Sequence, residues 1–552
     1  MKNRTAASLL FLFAFMPFLT RSQPLSGNPP KREFRGVWIA SVINIDYPAA
    51  PTMNSEDLKR EWMNTLNFYK GLNFNAILMQ IRPSSDALYP SQLAPWSRYL
   101  TGQQGTPPSG GFDPLAYMIE TTHAAGMEFH AWMNPYRASM DNEQPSQMHD
   151  LHILKQHPDW CLKYNKRWIM NPGLPDVREH VTQVVEEVVR NYDIDAIHFD
   201  DYFYPYKNGS ETFNDLNTFA EHQNGFSNLE DWRRNNVDML IEQVARRIKA
   251  IKPRVQFGIS PFGIWRNMKR DPNGSETNGT SCYDDLFADV RKWLQNGWID
   301  YVVPQLYWTI GFSIADHATL ANWWSNNSFG KNVYIGHGYY RIGSGGTREP
   351  NWNDSNEIPR QIALSRSLKN VKGSVYFSSK NLMRNPLGVT DLLRNDWYAY
   401  PAFPPVVIPD TSKLVCESPA LRRIEAKGDG SVLIRWEAAK RDCLKQPFQY
   451  VVYRFDGNQV NFENGRNILA TISGDAKNLE FNDKTAVDGY IYTYSVSIVD
   501  CHHNEKVATD VQTVQKVVDE KGKAEMRKLQ GVDYPVGLKP KRKSWWRRLF
   551  GL

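Results

Sequence analysis

The sequence predicts an α/β chain: a (β/α)8 TIM barrel followed by a small all-β sandwich domain. Three observations support this architecture. Eight short apolar runs alternate with helix-like segments between residues 32 and 400. Polar and aromatic residues follow nearly every apolar run at once. After about residue 400 a group of prolines leads into short runs of alternating polarity. A chain of 552 residues is also long enough for two or more domains.

Residues 1–22 have the pattern of a secretory signal peptide. Lys2 and Arg4 precede an apolar run, residues 6–19, that is too short to span a bilayer comfortably. We therefore expect export to the periplasm or cell envelope.

The formal net charge of +6 is concentrated at the two ends of the chain. Residues 1–22 contain three basic and no acidic residues, and residues 539–548 contain six basic and no acidic residues. The remainder of the chain therefore carries a net charge of −3. A slightly acidic body argues against nucleic acid as a partner.

The barrel prediction covers residues 32–400. Amphipathic stretches separate the apolar runs, and the clearest of them has valines at helical spacing between 177 and 189, after Pro175. Alternation of this kind favours a barrel, with a doubly wound open sheet as the alternative. The predicted strands are 36–42, 74–81, 128–133, 196–199, 255–259, 301–305, 333–336 and 374–377.

The residues after the strands favour the barrel. In a barrel they converge on one mouth, whereas in an open sheet they are spread along an edge. The aromatic members are either sugar-stacking platforms or rim packing, and Arg82, Asn134 and Gln305 suit hydrogen bonds to hydroxyl or acetamide groups. The candidate substrate-binding residues are Trp38, Asp46, Arg82, Trp132, Asn134, Tyr136, Tyr202, Tyr204, Trp265, Gln305, Tyr307, Trp308, His337 and Tyr339.

The fourth predicted strand ends in two adjacent carboxylates, Asp200 and Asp201. Burial of a carboxylate is costly and two neighbouring ones repel, so one of the pair should hold its proton more tightly than the other. An acid and an ionised partner can arise in this way from one residue type. We therefore predict that the pair is catalytic. The alternative is that it caps the next segment or pairs with Arg82 or Arg137.

Residues 401–415 form a predicted proline-rich linker, and residues 416–516 a small β-sandwich. Trp436 and the run Tyr492-Thr-Tyr-Ser-Val496 resemble a fibronectin type III domain. In the tail, 517–552, Trp545, Trp546, Leu549 and Phe550 fall on one helical face among basic residues. Such a face suits the surface of an anionic membrane or polymer, and a solvated, disordered tail is the alternative.

Several motifs resemble the glycosyl hydrolase-like 10 family. They are Arg35-Gly-Val-Trp38, Gln80-x-Arg82, the segment 126–135, Asn171-Pro-Gly173 and Ile197-His-Phe-Asp-Asp-Tyr-Phe-Tyr-Pro205. The resemblance covers residues 32–400. It implies an exported TIM-barrel glycoside hydrolase that acts on an N-acetylated bacterial polysaccharide, with peptidoglycan glycan strands as the expected substrate. The alternatives are a non-catalytic glycan-binding or envelope scaffold, and a glycosidase for dietary or capsular glycans.

Two mechanisms are open. Two carboxylates on different strands usually flank the scissile bond, but no acid follows the fifth or sixth predicted strand directly. A second carboxylate would have to be Asp46, Asp86 or a loop residue such as Asp271 or Glu276.

In the other mechanism the 2-acetamido group of the sugar attacks the anomeric carbon. Adjacent acids serve this reaction in the O-GlcNAc hydrolases, and Phe199-Asp-Asp201 resembles that arrangement. We favour Asp200 as the acetamide partner and Asp201 as the general acid, with the reverse order also open. Because successive strand residues point to opposite faces, the pair also requires a bulge or a strand that ends by Asp200.

No cofactor or metal is expected. A site built from His198, Asp200 and His337 lacks a compact ligand motif. His130 and His198 lie within predicted strands, where hydrogen-bonded core histidines are expected.

Overall fold

A computed structural model describes residues 29–140, 142–407, 419–438, 448–500, 502–506, 508, 510–520 and 522–529. The predicted signal segment, most of the predicted linker and the basic end of the tail lie outside these residues, as do Cys416, Cys443 and Cys501. Within the described part, no helix is long and apolar enough to cross a membrane.

Eight parallel strands form a closed barrel. Around the barrel they run β1, β2, β3, β6, β7, β8, β10 and β11, and β11 pairs with β1 to close it. Closure confirms the predicted barrel and excludes the open sheet. The strands up to the linker are β1 (Phe34–Ile39), β2 (Ala76–Arg82), β3 (Glu128–Met133), β4 (Cys161–Tyr164), β5 (Arg167–Met170), β6 (Ala196–Phe199), β7 (Gln256–Ile259), β8 (Tyr301–Val302), β9 (Gln305–Leu306), β10 (Asn332–His337) and β11 (Val371–Tyr376).

Helices surround the barrel. The predicted helix after Pro175 is α5, which has Pro175 in its first turn and buries its valines. Asn228 caps α7 by accepting from two backbone N–H groups. The helices are α1 (Ser55–Lys70), α2 (Arg98–Thr101), α3 (Pro114–Ala124), α4 (Ile153–Gln156), α5 (Pro175–Asn191), α6 (Leu216–Glu221), α7 (Leu229–Ile251), α8 (Cys282–Asp285), α9 (Val290–Gln295), α10 (His317–Asn326), α11 (Glu357–Ser367), α12 (Ser379–Met383) and α13 (Val389–Leu392).

The sixth predicted strand, 301–305, is divided in the structure into β8 and β9. Pro304 lies between them and has no N–H group to donate to a neighbouring strand. Its carbonyl still accepts from the Gly336 N–H at 3.0 Å. The interruption leaves Gln305 at the mouth of the barrel.

A chain of polar side chains crosses the barrel interior. Trp38 Nε1 is a donor only and contacts His198 Nε2 at 3.2 Å, so this ring nitrogen is the acceptor. His198 Nδ1 must then donate to the Tyr301 hydroxyl at 3.0 Å, and that hydroxyl donates to His130 Nδ1 at 2.7 Å. His130 Nε2 donates to Glu128 Oε2 at 2.9 Å. The acceptor role of His198 agrees with its pKa, which burial holds well below the ordinary value.

The C-terminal part contains two antiparallel sheets. β12, β13 and β16 form one, and β15, β14, β17, β19 and β20 form the other, with β18 beside β17. The second sheet extends past residue 516, where the tail was predicted to begin. The strands are β12 (Leu421–Ala426), β13 (Val432–Trp436), β14 (Gln449–Asp456), β15 (Ile468–Ser473), β16 (Glu480–Asp483), β17 (Ile491–Val499), β18 (Glu505–Lys506), β19 (Val511–Val518) and β20 (Ala524–Lys528).

The C-terminal sheets contact the end of the barrel at which the strands begin. His503 Nε2 donates to Glu128 Oε1 at 2.6 Å, and Lys31 pairs with Glu505 at 2.6 Å. Burial would raise the pKa of Glu128, but the hydrogen bonds from His130 and His503 outweigh it and bring the pKa to about 2. The polar chain inside the barrel therefore ends on a residue of the C-terminal part.

Gly258 of β7 makes room for the Tyr301 ring. A Cβ at this position would lie 2.0–2.4 Å from three ring atoms. Because Tyr301 joins two histidines inside a closed barrel, it has little freedom to move. We expect Gly258→Ala to lower the free energy of unfolding by about 1–3 kcal/mol, measured by urea denaturation.

Gly346→Ala is the control, since no atom lies within 4 Å of its Cβ position and its φ is not in the left-handed region. Equal effects of the two substitutions would contradict the packing argument.

Candidate active site

Asp200 and Asp201 lie just beyond the end of β6, which ends at Phe199. Strand alternation no longer applies there, and both side chains line one cavity of about 270 Å³ at the mouth of the barrel. Both are nearly buried, with exposed fractions of 3% and 4%. We name this space the catalytic cavity because it holds the predicted catalytic pair. Its other lining residues are Trp38, Ala40, Val42, Ile45, Gln80, Trp132, Arg137, Tyr202, Tyr206, Ser260, Gln305, Tyr307, Tyr340 and Phe377.

Asp200 is held as a hydrogen-bond acceptor by two residues from the end of β3. Trp132 Nε1 donates to Oδ2 at 3.1 Å, and Asn134 Nδ2 lies 3.1 Å from each carboxylate oxygen. The backbone N–H of Tyr202 also donates, at 3.3 Å. Burial raises the pKa of Asp200 above its ordinary value, and the charge of Arg137 and these donors offset only part of this effect. Its hydrogen bonds therefore favour the ionised form.

Asp201 has a different environment. The Tyr206 hydroxyl donates to Oδ2 of Asp201. Burial, and next the charge of Asp200, raise the pKa of Asp201 to about 6, against the lowering effect of the Tyr206 and Gln305 side chains. Gln305 is itself oriented by donating to the Ser260 carbonyl at 2.9 Å. Asp201 is thus the member of the pair that is able to carry a proton near neutral pH.

The described residues that line the catalytic cavity include no carboxylate other than Asp200 and Asp201. Asp46 accepts from the backbone N–H groups of Ala40 and Lys380 and from the Ser378 hydroxyl. Asp86 accepts from the Ser84 N–H, and Asp271 pairs with Arg266 at 3.0 Å. Glu276 lines a separate surface depression. None of the four alternative second carboxylates lines the cavity.

Six of the predicted substrate-binding residues belong to this site. Trp38, Trp132, Tyr202, Gln305 and Tyr307 line the cavity, and Asn134 holds Asp200.

The other eight lie elsewhere. Tyr136, Tyr204, His337 and Tyr339 are fully buried core residues, and the last three have hydrogen-bonding partners there. These side chains point into the layer between strands and helices. The residues after a strand therefore divide between the cavity and the core.

The remaining four also lie outside the cavity lining. Asp46 fixes the loop that follows β1. Arg82 is buried, and its Nη1 has no partner within the described residues. Trp265 donates to Asp289 at 3.0 Å and stacks on Trp323, whereas Trp308 packs against Phe262.

Several site residues were not among the predicted ones. Tyr206 follows the carboxylate pair by five residues in irregular chain, where no periodicity indicates orientation. Tyr340 follows the predicted seventh strand by four residues, and Phe377 is the last residue of the predicted eighth strand. Both contact Tyr307. The signal that was available for Tyr206 is the aromatic density of the segment Tyr202-Phe-Tyr-Pro-Tyr206.

The two strand histidines lie in the polar chain, and His337 lies in the core, as described above. A search of the described residues shows no group of three or more side chains able to hold a metal ion.

Comparisons with known proteins show what the chain is similar to. The sequence model of the family described as glycosyl hydrolase-like 10 matches residues 33–354. The chain is 42% identical to the glycosyl hydrolase YngK of Bacillus subtilis, over 90% of this chain and 94% of that protein. It is 36% identical to the glycosyl hydrolase DigH of Escherichia coli K12, over 64% of this chain and 86% of that protein.

Among solved structures, the glycoside hydrolase domain of PgaB (BpsB) from Bordetella bronchiseptica aligns with a TM-score of 0.43 and 13% identity. The alignment covers 66% of this chain and 99% of that domain.

The raised pKa of Asp201 predicts a stability cost. A carboxyl group whose folded-state pKa is about 6 rather than 3.8 binds its proton more tightly in the folded state. Stability is then lost as pH rises through this window, by up to about 3 kcal/mol. We expect Asp201→Asn to be more stable than the wild type at pH 7.5, and we expect this advantage to shrink towards pH 4. Urea denaturation at several pH values measures it.

Asp396→Asn changes an exposed carboxyl group and is the control. A stability difference between Asp201→Asn and the wild type that stays constant with pH would show that the cost has another origin.

Proposed function

The chain belongs to the glycosyl hydrolase-like 10 family, and from this premise we propose that it is an exported glycoside hydrolase acting on an N-acetylated polysaccharide, namely the glycan strands of peptidoglycan. Catalysis is proposed to be substrate-assisted. Asp201 is the general acid, and Asp200 is the carboxylate that orients the acetamide.

One observation carries the mechanism. The catalytic cavity contains two adjacent carboxyl groups in unlike environments and no further carboxylate among its described lining residues. Asp200 is surrounded by donors that favour its ionised form, whereas Asp201 has a pKa of about 6. A single acid and a single orienting carboxylate suffice when the substrate supplies the nucleophile.

The proposed reaction begins with attack of the acetamide carbonyl oxygen on the anomeric carbon. Asp200 accepts a hydrogen bond from the acetamide N–H and stabilises the positive charge that develops there. As the glycosidic C–O bond breaks, Asp201 transfers its proton to the leaving oxygen. Asp201, now ionised, then takes a proton from the water that opens the cyclic oxazolinium intermediate. Asp201 returns to its protonated form, and the released sugar regains its acetamide.

The walls of the cavity suit a pyranose ring. Trp38 and Trp132 lie at the ends of β1 and β3, and Tyr202 and Tyr307 follow β6 and β9. Aromatic faces offer apolar contact to the C–H faces of a sugar, and polar edges remain available for its hydroxyl groups. Export is supported by the basic and apolar pattern of residues 1–22.

Loss of either catalytic carboxyl group should abolish turnover. We expect Asp200→Asn and Asp201→Asn each to lower kcat on N-acetylated, peptide-free glycan strands by about 100- to 10,000-fold. Release of new reducing ends measures this. The wild type should not cleave the same strands after de-N-acetylation, because they lack the nucleophile.

Glu276→Gln is the matched control, since this carboxylate lies outside the catalytic cavity. Full activity of Asp201→Asn would refute the acid assignment. Loss of activity in Glu276→Gln would instead favour a mechanism with two separated carboxylates.

The general acid must be protonated, so activity should fall as pH rises above about 6, the pKa of Asp201. The hydrogen bond from Tyr206 lowers this pKa. Tyr206→Phe should therefore move the alkaline limb of the kcat profile to higher pH. An unchanged limb would mean that another group controls it.

A further inference from the structure

A second, smaller cavity adjoins the catalytic one. It has a volume of about 70 Å³ and shares Arg137, Tyr202 and Tyr206 with the catalytic cavity. Its outer wall comes from the β4–β5 hairpin, through Tyr164 and Arg167. A substituent on a sugar bound beside Asp200 and Asp201 would extend into this space, which we name the side pocket.

Arg137 stands between the two cavities in a fixed position. Its backbone N–H donates to Asn134 Oδ1 at 2.8 Å, and Asn134 is the residue that holds Asp200. Its guanidinium lies 4.6 Å from the centre of the Tyr202 ring, and Nη1 donates to the Pro83 carbonyl at 3.2 Å. The cation is therefore aligned with the catalytic pair by packing and hydrogen bonds before any substrate binds.

The charge of Arg137 has no carboxylate partner at ion-pair distance within the described residues. The charge of Arg137 lowers the pKa of Asp200, but no hydrogen bond or ion pair joins these two side chains. A guanidinium has five N–H donors, and the contact to Pro83 uses one of its nitrogens. Planar donors of this kind match a carboxylate, which they can bind through two parallel hydrogen bonds. Asn134, Tyr164, Asn165, Arg167, Tyr202 and Tyr206 are the other polar residues that line the pocket.

We propose that Arg137 and the side pocket recognise a carboxylate carried by the substrate sugar, and that this contact determines which glycans are cleaved. The inference rests on the proposed function, since the sugar must first occupy the catalytic cavity. Two kinds of sugar carry such a group beside an N-acetyl sugar: one with a lactic acid ether, as in N-acetylmuramic acid, and a uronic acid. Conversion of the carboxylate to a neutral amide removes the charge that Arg137 would bind.

The test compares one glycan in two forms: peptide-free strands with free carboxyl groups, and the same strands after conversion of these groups to methylamides. Arg137→Gln should raise KM on the free acid about 10- to 100-fold more than it raises KM on the methylamide. Arg137→Lys keeps the charge without the planar fork and should give a smaller increase. If Arg137→Gln folds poorly, Arg137→Lys still tests the proposal.

Lys163→Gln is the matched control. It removes a positive charge from the exposed face of the same hairpin, outside both cavities. A change in KM shared by Lys163→Gln and Arg137→Gln would indicate general electrostatic attraction and would overturn the proposal. An equal loss by Arg137→Gln on both glycan forms would also overturn it, because Arg137 would then act only on the catalytic pair.

A polymer that alternates N-acetylglucosamine with glucuronic acid distinguishes the two sources of the carboxylate. A KM effect of Arg137→Gln on this polymer assigns the pocket to uronic acids, and an effect on the peptide-free strands alone assigns it to the lactic acid ether.

Binding separates failure of this proposal from failure of the proposed function. Titration calorimetry of the free-acid strands with Asp201→Asn, and with Asp201→Asn combined with Arg137→Gln, needs no turnover. Loss of affinity in the double variant supports the side pocket even if no cleavage is detected, and equal affinities of the two proteins refute it.

Discussion

The structure of the site depends on the burial of two adjacent carboxyl groups at the end of β6. Two ionised groups in this position would be costly, since each loses hydration and repels the other. The barrel offsets this cost with hydrogen-bond donors that differ between Asp200 and Asp201. Trp132 and Asn134, at the end of β3, donate hydrogen bonds to Asp200. Asp201 instead accepts a hydrogen bond from the hydroxyl group of Tyr206, which lies in a loop. The unlike environments of the two carboxyl groups therefore follow from which neighbours the closed barrel brings to each of them, and the parallel pairing of β3 with β6 holds Trp132 and Asn134 in place.

The same closure organises the barrel interior. Most of the side chains that point inwards are apolar or aromatic, but Glu128, His130, Tyr301 and His198 form one hydrogen-bonded chain among them. Each member donates to the next, starting from the indole of Trp38, so the direction of every bond is determined. Trp38 also lines the catalytic cavity. These hydrogen bonds therefore connect the cavity to the opposite end of the barrel. One set of donor and acceptor roles satisfies all of them.

Much of the fold was predictable from the sequence, because parallel barrel strands are buried on both faces and read as continuous apolar runs. The carboxylate pair stood out in the sequence for a related reason: charge at the end of such a run is unusual. Which of the remaining strand-end residues lie at the cavity, and which lie in the core, was not predictable from the sequence. Trp132 lines the cavity and Asn134 donates to Asp200, while Tyr136, two residues further, lies in the core. The chain leaves the strand between them, and no residue pattern marks that change of direction. Tyr206 lies in irregular chain for which sequence periodicity has no meaning, and Pro304 shows how one missing N–H group moves a strand boundary.

The hydrogen bond between His503 and Glu128 makes the barrel depend on the C-terminal part. Glu128 is buried, and one of its oxygens is satisfied from within the barrel while the other is satisfied by the C-terminal part. If the chain were cut at the linker, that second oxygen would be exposed to water. The end of the polar chain that lies where the barrel strands begin would also lose its contact with the C-terminal part. The C-terminal part therefore supplies a hydrogen bond that a buried carboxylate of the barrel requires. We expect the two segments to be inherited, exchanged or engineered as a unit.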